Sequence, residues 1–163
     1  MEGYTEIEFI NIEENNEYIS LIENVINKCF EEEKLKNANM YLNIILTDPE
    51  YIRKINKEYR NIDRETDVLS FPMFEKEEIE DIIKESSKNK IEINEVLGDI
   101  IVSIPKVKQQ AIEYGHSEQR ELAYMIVHGF YHIMGHDHMS EEEKQIMREK
   151  EENILNKLDI KRD

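Results

Sequence analysis

Residues 122–138 read LAYMIVHGFYHIMGHDH, and this stretch decides both the core of the fold and the candidate site. From Leu122 to Ile133 the apolar residues recur at helical spacing over a wide arc, which predicts a helix buried at the centre of the core. Ser117 is placed to cap the start of this helix. Gly135 is placed to end it in the left-handed conformation that glycine tolerates best. The sequence therefore predicts a central helix followed by a sharp turn.

Four of the five histidines fall within eleven residues of this stretch. His128 and His132 are four residues apart, so both rings project from one face of the helix. A turn at Gly135 would bring His138 back toward them. Three imidazoles with one open position are the arrangement of catalytic zinc, whereas structural zinc has four protein ligands. We predict that these three histidines hold one Zn²⁺, with Ni²⁺ or another divalent ion as the alternative, because imidazole suits several transition metals.

The polar neighbours of the three histidines have other predicted roles. His136 lies next to the turn and points outward as easily as inward, so it stays outside the ligand set. Asp137 either orients a ligand imidazole or caps the turn by bonding to its own backbone. His116, between Gly115 and Ser117, belongs to the entrance of the helix rather than to the metal site.

The residue that follows the first histidine limits the chemistry. Zinc peptidases of the H-E-x-x-H type have a general-base glutamate there, but this chain has Gly129. Phosphoester hydrolysis tolerates this absence better, because a metal ion also polarises a phosphoryl oxygen. The phosphate needs a cation, and Arg60 is the best candidate since a guanidinium binds phosphate in a bidentate manner. The alternative is an ordinary surface arginine paired with Glu58 or Asp63.

The rest of the chain predicts a single domain over residues 1–163 of the α+β class. Alternating or branched apolar runs predict four strands, over residues 4–12, 40–48, 67–71 and 98–103. Further helices are predicted over residues 17–35, 49–59 and 105–114, and from Ser140 onward. Asp48 is placed to open the second of these and Gly115 to end the third. The expected architecture is a small mixed four-stranded sheet packed with helices, whose central helix carries two metal-ligand histidines. Residues 75–95, with eight acidic and four basic residues, are predicted to form a charged mobile insertion.

The net charge of −16 opposes broad, nonspecific binding of nucleic acid or anionic lipid. Residues 53–64 nevertheless contain five basic and two acidic residues, so a local anion site remains compatible with the composition. Residues 1–33 contain ten acidic residues and one lysine, which either form a solvated face or dock a basic ribosomal protein. The acidic N-terminus and the lack of a long apolar run disfavour secretion and membrane insertion. A lone Cys29, predicted to be a small buried apolar residue, fits a reducing cytoplasm.

Several motifs together resemble one known family. The pattern H-G-x-x-H-x-x-G-x-D-H at residues 128–138 is similar to the signature of the YbeY family, bacterial metal-dependent endoribonucleases of ribosomal RNA maturation. The agreement extends to NKEYR at residues 56–60, TDVLSFP at 66–72, LGDI at 97–100 and GHS at 115–117. The order and separation of these motifs are more specific than any one of them.

The resemblance implies an α+β fold in which His128, His132 and His138 bind the metal and Arg60 lies in an RNA-facing cleft. It also implies a single-strand-specific endoribonuclease of the cytoplasm, active in ribosomal RNA maturation and ribosome quality control. Ribosomal RNA is then the expected partner, with ribosomal proteins as further partners and neither DNA nor a membrane. The alternative is a noncatalytic assembly factor that binds RNA or a ribosomal protein and needs the metal for its fold. Chelation would unfold such a protein.

Overall fold

The structure is a computed structural model that describes residues 3–160. The first two residues of the acidic segment 1–33 therefore lie outside the described part. In chain order the elements are β1 (Thr5–Phe9), α1 (Asn16–Glu32), β2 (Met40–Thr47), α2 (Pro49–Arg60), β3 (Val68–Pro72), α3 (Lys76–Ser86), β4 (Glu95–Ser103), α4 (Ile104–Tyr114), α5 (Glu118–Ile133) and α6 (Glu141–Lys157). The predicted α+β class is confirmed.

The four strands form one mixed sheet in the order β1-β2-β4-β3. β1, β2 and β4 are parallel, and β3 pairs antiparallel with β4 at one edge. A parallel connection needs a crossover, which α1 supplies between β1 and β2. The predicted mixed four-stranded sheet is confirmed, and its β3 edge lies beside the histidine cluster.

Polar side chains define the helix ends that position the site. Asp48, Ser117 and Ser140 each accept a hydrogen bond from a backbone N–H in the first turn of α2, α5 and α6. These bonds satisfy donors that a helix leaves unpaired at its start. Gly115 ends α4 with a φ of +70°, a left-handed conformation that costs glycine little. The predicted helix starts at Asp48, Ser117 and Ser140 and the predicted helix end at Gly115 are confirmed.

Helix α5 is the centre of the core. It is buried on most of its circumference and contacts α1, α4 and α6 as well as β3 and β4. Cys29 of α1 is fully buried in this core, and burial raises the pKa of its thiol. The prediction of a small buried cysteine is confirmed. Within residues 3–160, none of the helices combines the length and apolar character that crossing a bilayer requires.

The prediction of a mobile insertion over residues 75–95 is wrong for its first half. Residues 76–86 form α3, whose start is stabilised by reciprocal hydrogen bonds between Glu75 and Glu78 in a capping box. Ile79 of α3 is 1% exposed and belongs to the main core. Three isoleucines at helical spacing form an apolar face that packs against the core. Burial of this face stabilises the helix, while its charged residues remain on the solvent side.

Candidate metal centre

The three predicted ligands converge at the C-terminal end of α5. His128 and His132 project from consecutive turns of the helix, and the chain then reverses and presents His138. One nitrogen of each ring lies within 4.8 Å of those of the other two. The ring centroids of His138 lie 5.8 Å from His128 and 5.0 Å from His132. Residues far apart on an extended chain thus form one cluster.

The separation of the two helical imidazoles fits a shared ion. The Nε2 atoms of His128 and His132 are 3.1 Å apart. In a tetrahedral zinc site with bonds of about 2.0–2.1 Å, two ligand nitrogens are about 3.3 Å apart. Two lone pairs at this distance repel each other unless a cation or a proton lies between them. The donor set therefore suits a divalent transition metal.

The outer nitrogens of both helical imidazoles are already hydrogen-bonded. Nδ1 of His128 lies 2.5 Å from Oε2 of Glu151, a side chain of α6 that is 5% exposed. Nδ1 of His132 lies 3.1 Å from the backbone oxygen of His136. Carbonyl and carboxylate oxygens accept, so each Nδ1 carries a hydrogen and each Nε2 is the nitrogen left to face a metal. The tautomers required of zinc ligands are set by the fold.

Burial also favours the metal-binding form of the central imidazole. Burial, and then the neighbouring His128 and His138, lower the pKa of His132. The neutral ring is the form that coordinates a metal. At neutral pH His132 is therefore ready to act as a ligand without losing a proton.

The turn after α5 depends on a glycine. Gly135 has a φ of +98°, and a Cβ added to it would lie 2.8 Å from Cβ of Lys76. The N–H of His136 donates to the backbone oxygen of Tyr131 at 2.9 Å and closes the turn. The predicted left-handed end of the helix is confirmed. Only this reversal directs His138 toward the other two rings.

The position after His128 is tightly packed around a glycine. Gly129 is buried where α5 crosses β4, and a Cβ on it would lie 3.1 Å from Cγ2 of Ile100. Any side chain at this position would require Ile100 to move by a few tenths of an ångström. The close packing of helix and strand thus agrees with the sequence argument against an H-E-x-x-H peptidase.

The three rings line an open cavity of about 550 Å³ between α5, β3 and the loop after Gly135. Arg60, the last residue of α2, lines the same cavity and is exposed. Its Nη1 donates to Oδ1 of Asn56 at 3.4 Å, while Asp63 pairs with Arg53 at 2.8 Å. Arg60 therefore forms no ion pair with either Glu58 or Asp63, and it lies in the lining of the cavity.

The remaining polar residues singled out by the sequence take definite places. Oδ1 of Asp137 accepts from the N–H of His138 at 2.7 Å, so this carboxylate caps the turn. His136 stays outside the cluster, and its ring packs edge-on against Tyr131. His116 is also outside the cluster and pairs with Glu121.

Glu151 is the residue of the site that sequence reasoning missed. It lies 23 positions after His128, on a helix read only for its apolar face. A signal existed, because Glu151 follows Met147 by four residues and precedes Ile154 by three, which puts a carboxylate on the inward side of α6. An acidic residue on a buried helical face needs a partner, and here the partner is His128.

Comparison with known proteins gives consistent results. Residues 5–159 match the sequence profile of the family described as Endoribonuclease YbeY. A protein of that name from Desulforamulus reducens is 44% identical over 155 residues, which cover 95% of this chain and 94% of that protein. Another from Agathobacter rectalis is 45% identical over 153 residues, which cover 91% of this chain and 92% of that protein.

A solved structure is similar in fold. The solution structure of TM1509 from Thermotoga maritima has a TM-score of 0.56 and is 24% identical in sequence. The similarity covers 94% of this chain and 91% of the other. At this level of identity the likeness concerns the fold alone.

Proposed function

This chain belongs to the endoribonuclease YbeY family, and we propose that it hydrolyses single-stranded RNA at the three-histidine site during ribosomal RNA maturation and ribosome quality control. Family membership follows from the profile match over residues 5–159 and from relatives 44–45% identical over nearly the whole chain. The proposal assigns the metal to His128, His132 and His138 and phosphate binding to Arg60.

One observation carries the assignment of the site. Two imidazoles present their Nε2 atoms to each other at 3.1 Å, while their Nδ1 atoms are engaged by Glu151 and by the backbone oxygen of His136. Hydrogen bonds of this kind orient ligand histidines and raise their basicity in metal sites. Two lone pairs this close are favourable only with a cation or a proton between them, and a divalent metal can be shared by all three rings of the cluster.

The residues around the cluster suit a phosphodiester substrate. When bound, the metal ion supplies Lewis-acid chemistry that polarises a phosphoryl oxygen and makes water a better nucleophile at neutral pH. Arg60 binds the phosphate and stabilises the negative charge that grows on its oxygens during hydrolysis. The cavity of about 550 Å³ admits an unpaired strand more easily than a rigid duplex, which supports a single-stranded substrate.

Zinc is the proposed metal, with nickel or another divalent ion as the alternative. Three neutral nitrogen donors and one open position are typical of catalytic zinc. Ribosomal RNA precursors are the proposed substrate and ribosomal proteins the proposed partners. The proposal includes a cytoplasmic location, because a bacterium assembles its ribosomes there.

The test combines elemental analysis of the purified protein with an RNA cleavage assay, with and without chelator. We expect His132→Ala to lose the metal and cleavage together, because only one helical ligand then remains. His132 is preferred to His128 for the test, since removing His128 would leave the buried Glu151 without its partner.

His136→Ala is the matched control. Its ring is outside the cluster, and its backbone oxygen, which the substitution keeps, is the acceptor for His132. We expect this variant to retain both metal and cleavage. Stoichiometric metal and full cleavage in a folded His132→Ala protein would refute the site assignment.

A further inference from the structure

A second cavity of about 550 Å³ adjoins the metal cavity. The two share Asp67 and Tyr124 in their linings, so they form a continuous depression across α5. The second cavity is built mainly from the end of α4 and the start of α5. The mechanism proposed above uses none of the residues specific to it.

Tyr124 connects the two cavities. Its ring stacks on the ring of His128, with an interplanar angle of 28° and 5.7 Å between the centroids. Glu121, Tyr124 and His128 are three and four residues apart, so they follow one another along the same face of α5. The rise from Glu121 to His128 is about 10 Å. This separation is comparable with the size of one nucleoside.

The outer wall of the second cavity is aromatic. Tyr114 lines it and is 63% exposed, although tyrosine side chains usually cover more of their ring. The ring centroid of Tyr114 lies 6.0 Å from that of His116. Exposed aromatic rings along a groove are the means by which proteins stack the bases of single-stranded nucleic acid.

The inner wall presents an oriented imidazole. Nε2 of His116 lies 2.5 Å from Oε2 of Glu121, and the carboxylate of Glu121 is almost fully buried. Because this carboxylate accepts, Nε2 carries a hydrogen, and Nδ1 is the ring nitrogen left to hydrogen-bond a ligand. Gln110 adds an amide to the same cavity.

The charges of the second cavity disfavour phosphate. Asp67 and Glu121 both contribute carboxylates to its lining. The guanidinium of Arg120 is buried; it donates to the backbone oxygen of Ile160 at 2.8 Å and pairs with Glu152 at 3.6 Å, while its Nε has no hydrogen-bond partner among the described residues. The two carboxylates of the lining outnumber this one buried cation, so the cavity does not favour an anion. The cavity therefore fits the uncharged base and ribose of a nucleotide, whereas Arg60 and the metal site take the phosphate.

We propose that this second cavity is a nucleoside-binding subsite, which holds the base and ribose next to the scissile phosphate by stacking on Tyr114 and hydrogen bonding to His116. The inference rests on the proposed RNA cleavage. The subsite positions the substrate strand and takes no part in the bond that breaks.

The first test measures binding without cleavage. Ribonucleosides are added at millimolar concentration to metal-free protein, and amide resonances are followed by NMR. We expect shifts at Gln110 and residues 114–116 that Tyr114→Ala abolishes and Tyr114→Phe, which keeps the ring, restores. Inorganic phosphate is expected to leave these resonances unchanged; shifts caused by phosphate and not by nucleosides would overturn the proposal.

The second test measures cleavage of a single-stranded RNA oligonucleotide by the metal-loaded protein. We expect Tyr114→Ala to raise KM about tenfold, which is the loss typical of one base–aromatic stack, with kcat nearly unchanged. Ile112→Ala is the matched control, because Ile112 lies on the same turn of α4, is 83% exposed and does not line the cavity. We expect this variant to have the KM and kcat of the unmodified protein.

The two tests separate the subsite from the nuclease activity. Nucleoside shifts without any RNA cleavage would refute the proposed function and support the binding site. Normal cleavage by Tyr114→Ala together with an absence of nucleoside shifts would overturn the subsite and leave the nuclease assignment intact.

Discussion

At the scale of single residues, the three histidines differ in how firmly they are held. His128 and His132 each have a hydrogen-bonded Nδ1, and the side chain of His128 is 24% exposed. The side chain of His138 is 54% exposed, and its Nδ1 lies 3.7 Å from a carboxylate oxygen of Asp137. Two of the proposed ligands are thus oriented by the fold, while the third depends on the loop that carries it.

Glu151→Gln tests the contribution of the carboxylate behind His128. Gln still accepts a hydrogen bond but loses the charge that makes the imidazole a stronger ligand, so we expect metal affinity to fall about 10- to 100-fold. Competition with a chelator of known affinity measures the metal affinity of each variant. Glu149→Gln on the exposed side of the same helix is the control. Equal affinity in both variants would contradict a role for Glu151.

Arg60→Ala tests the proposed phosphate contact. We expect the metal content to stay the same and RNA cleavage to fall at least about tenfold, because a charged donor aimed at the phosphate is lost. Lys57→Ala removes an exposed positive charge from the same helix outside the cavity and is the matched control. If both variants cleave and bind RNA like the unmodified protein, Arg60 is only a surface residue.

At the scale of elements, the end of α5 and the start of α3 constrain each other. Gly135 needs its left-handed backbone, and the stem of Lys76 occupies the space where a Cβ would lie. The loop that carries His138 is therefore supported by a helix that the charge pattern alone did not reveal. Docking of α3 contributes to the site although none of its residues belongs to the histidine cluster.

Gly135→Ala should disturb both stability and the site. A side chain in this conformation, pressed against Lys76, is expected to lower the free energy of unfolding by about 1–3 kcal/mol. Metal affinity should fall as well, because His138 moves with the turn. Denaturant unfolding measures the change in the free energy of unfolding. Gly3→Ala, at a position with open space around it, is the control; equal stability of the two variants would argue against a strained turn.

At the scale of the whole molecule, the core is complete without the metal. α5 packs against three helices and the sheet, and the histidine cluster lies in an open cavity at one end of this helix. The chain has a net charge of −16, while the cavity has Arg60 at its rim. Recognition of RNA must therefore be local, since the overall field repels a polyanion.

Removal of the metal distinguishes a nuclease from an assembly factor with a structural ion. We expect chelation to leave the helical circular dichroism signal unchanged at room temperature. The midpoint of thermal unfolding should fall by about 5–10 °C, as for the loss of a ligand present at about 100 times its Kd. Loss of the helical signal on chelation would favour the assembly factor.

The sequence by itself determined the local features of this protein. Local patterns predict a feature that depends only on neighbours a few residues away. Such features are the helix caps at Asp48, Ser117 and Ser140, the helix end at Gly115 and the spacing of His128 and His132. The turn at Gly135 predicted His138 as the third ligand, and the family motifs supported both this ligand set and Arg60 as hypotheses for the site. The strand and helix periods also predicted the mixed sheet.

Only the tertiary structure decided which distant groups meet. The pairing of Glu151 with His128, the docking of α3 beneath Gly135 and the second cavity beside Tyr124 each join separate elements. Such contacts depend on how buried faces pack, and one sequence pattern is compatible with many packings. A carboxylate on α6 meets the histidine cluster only because α6 lies against α5.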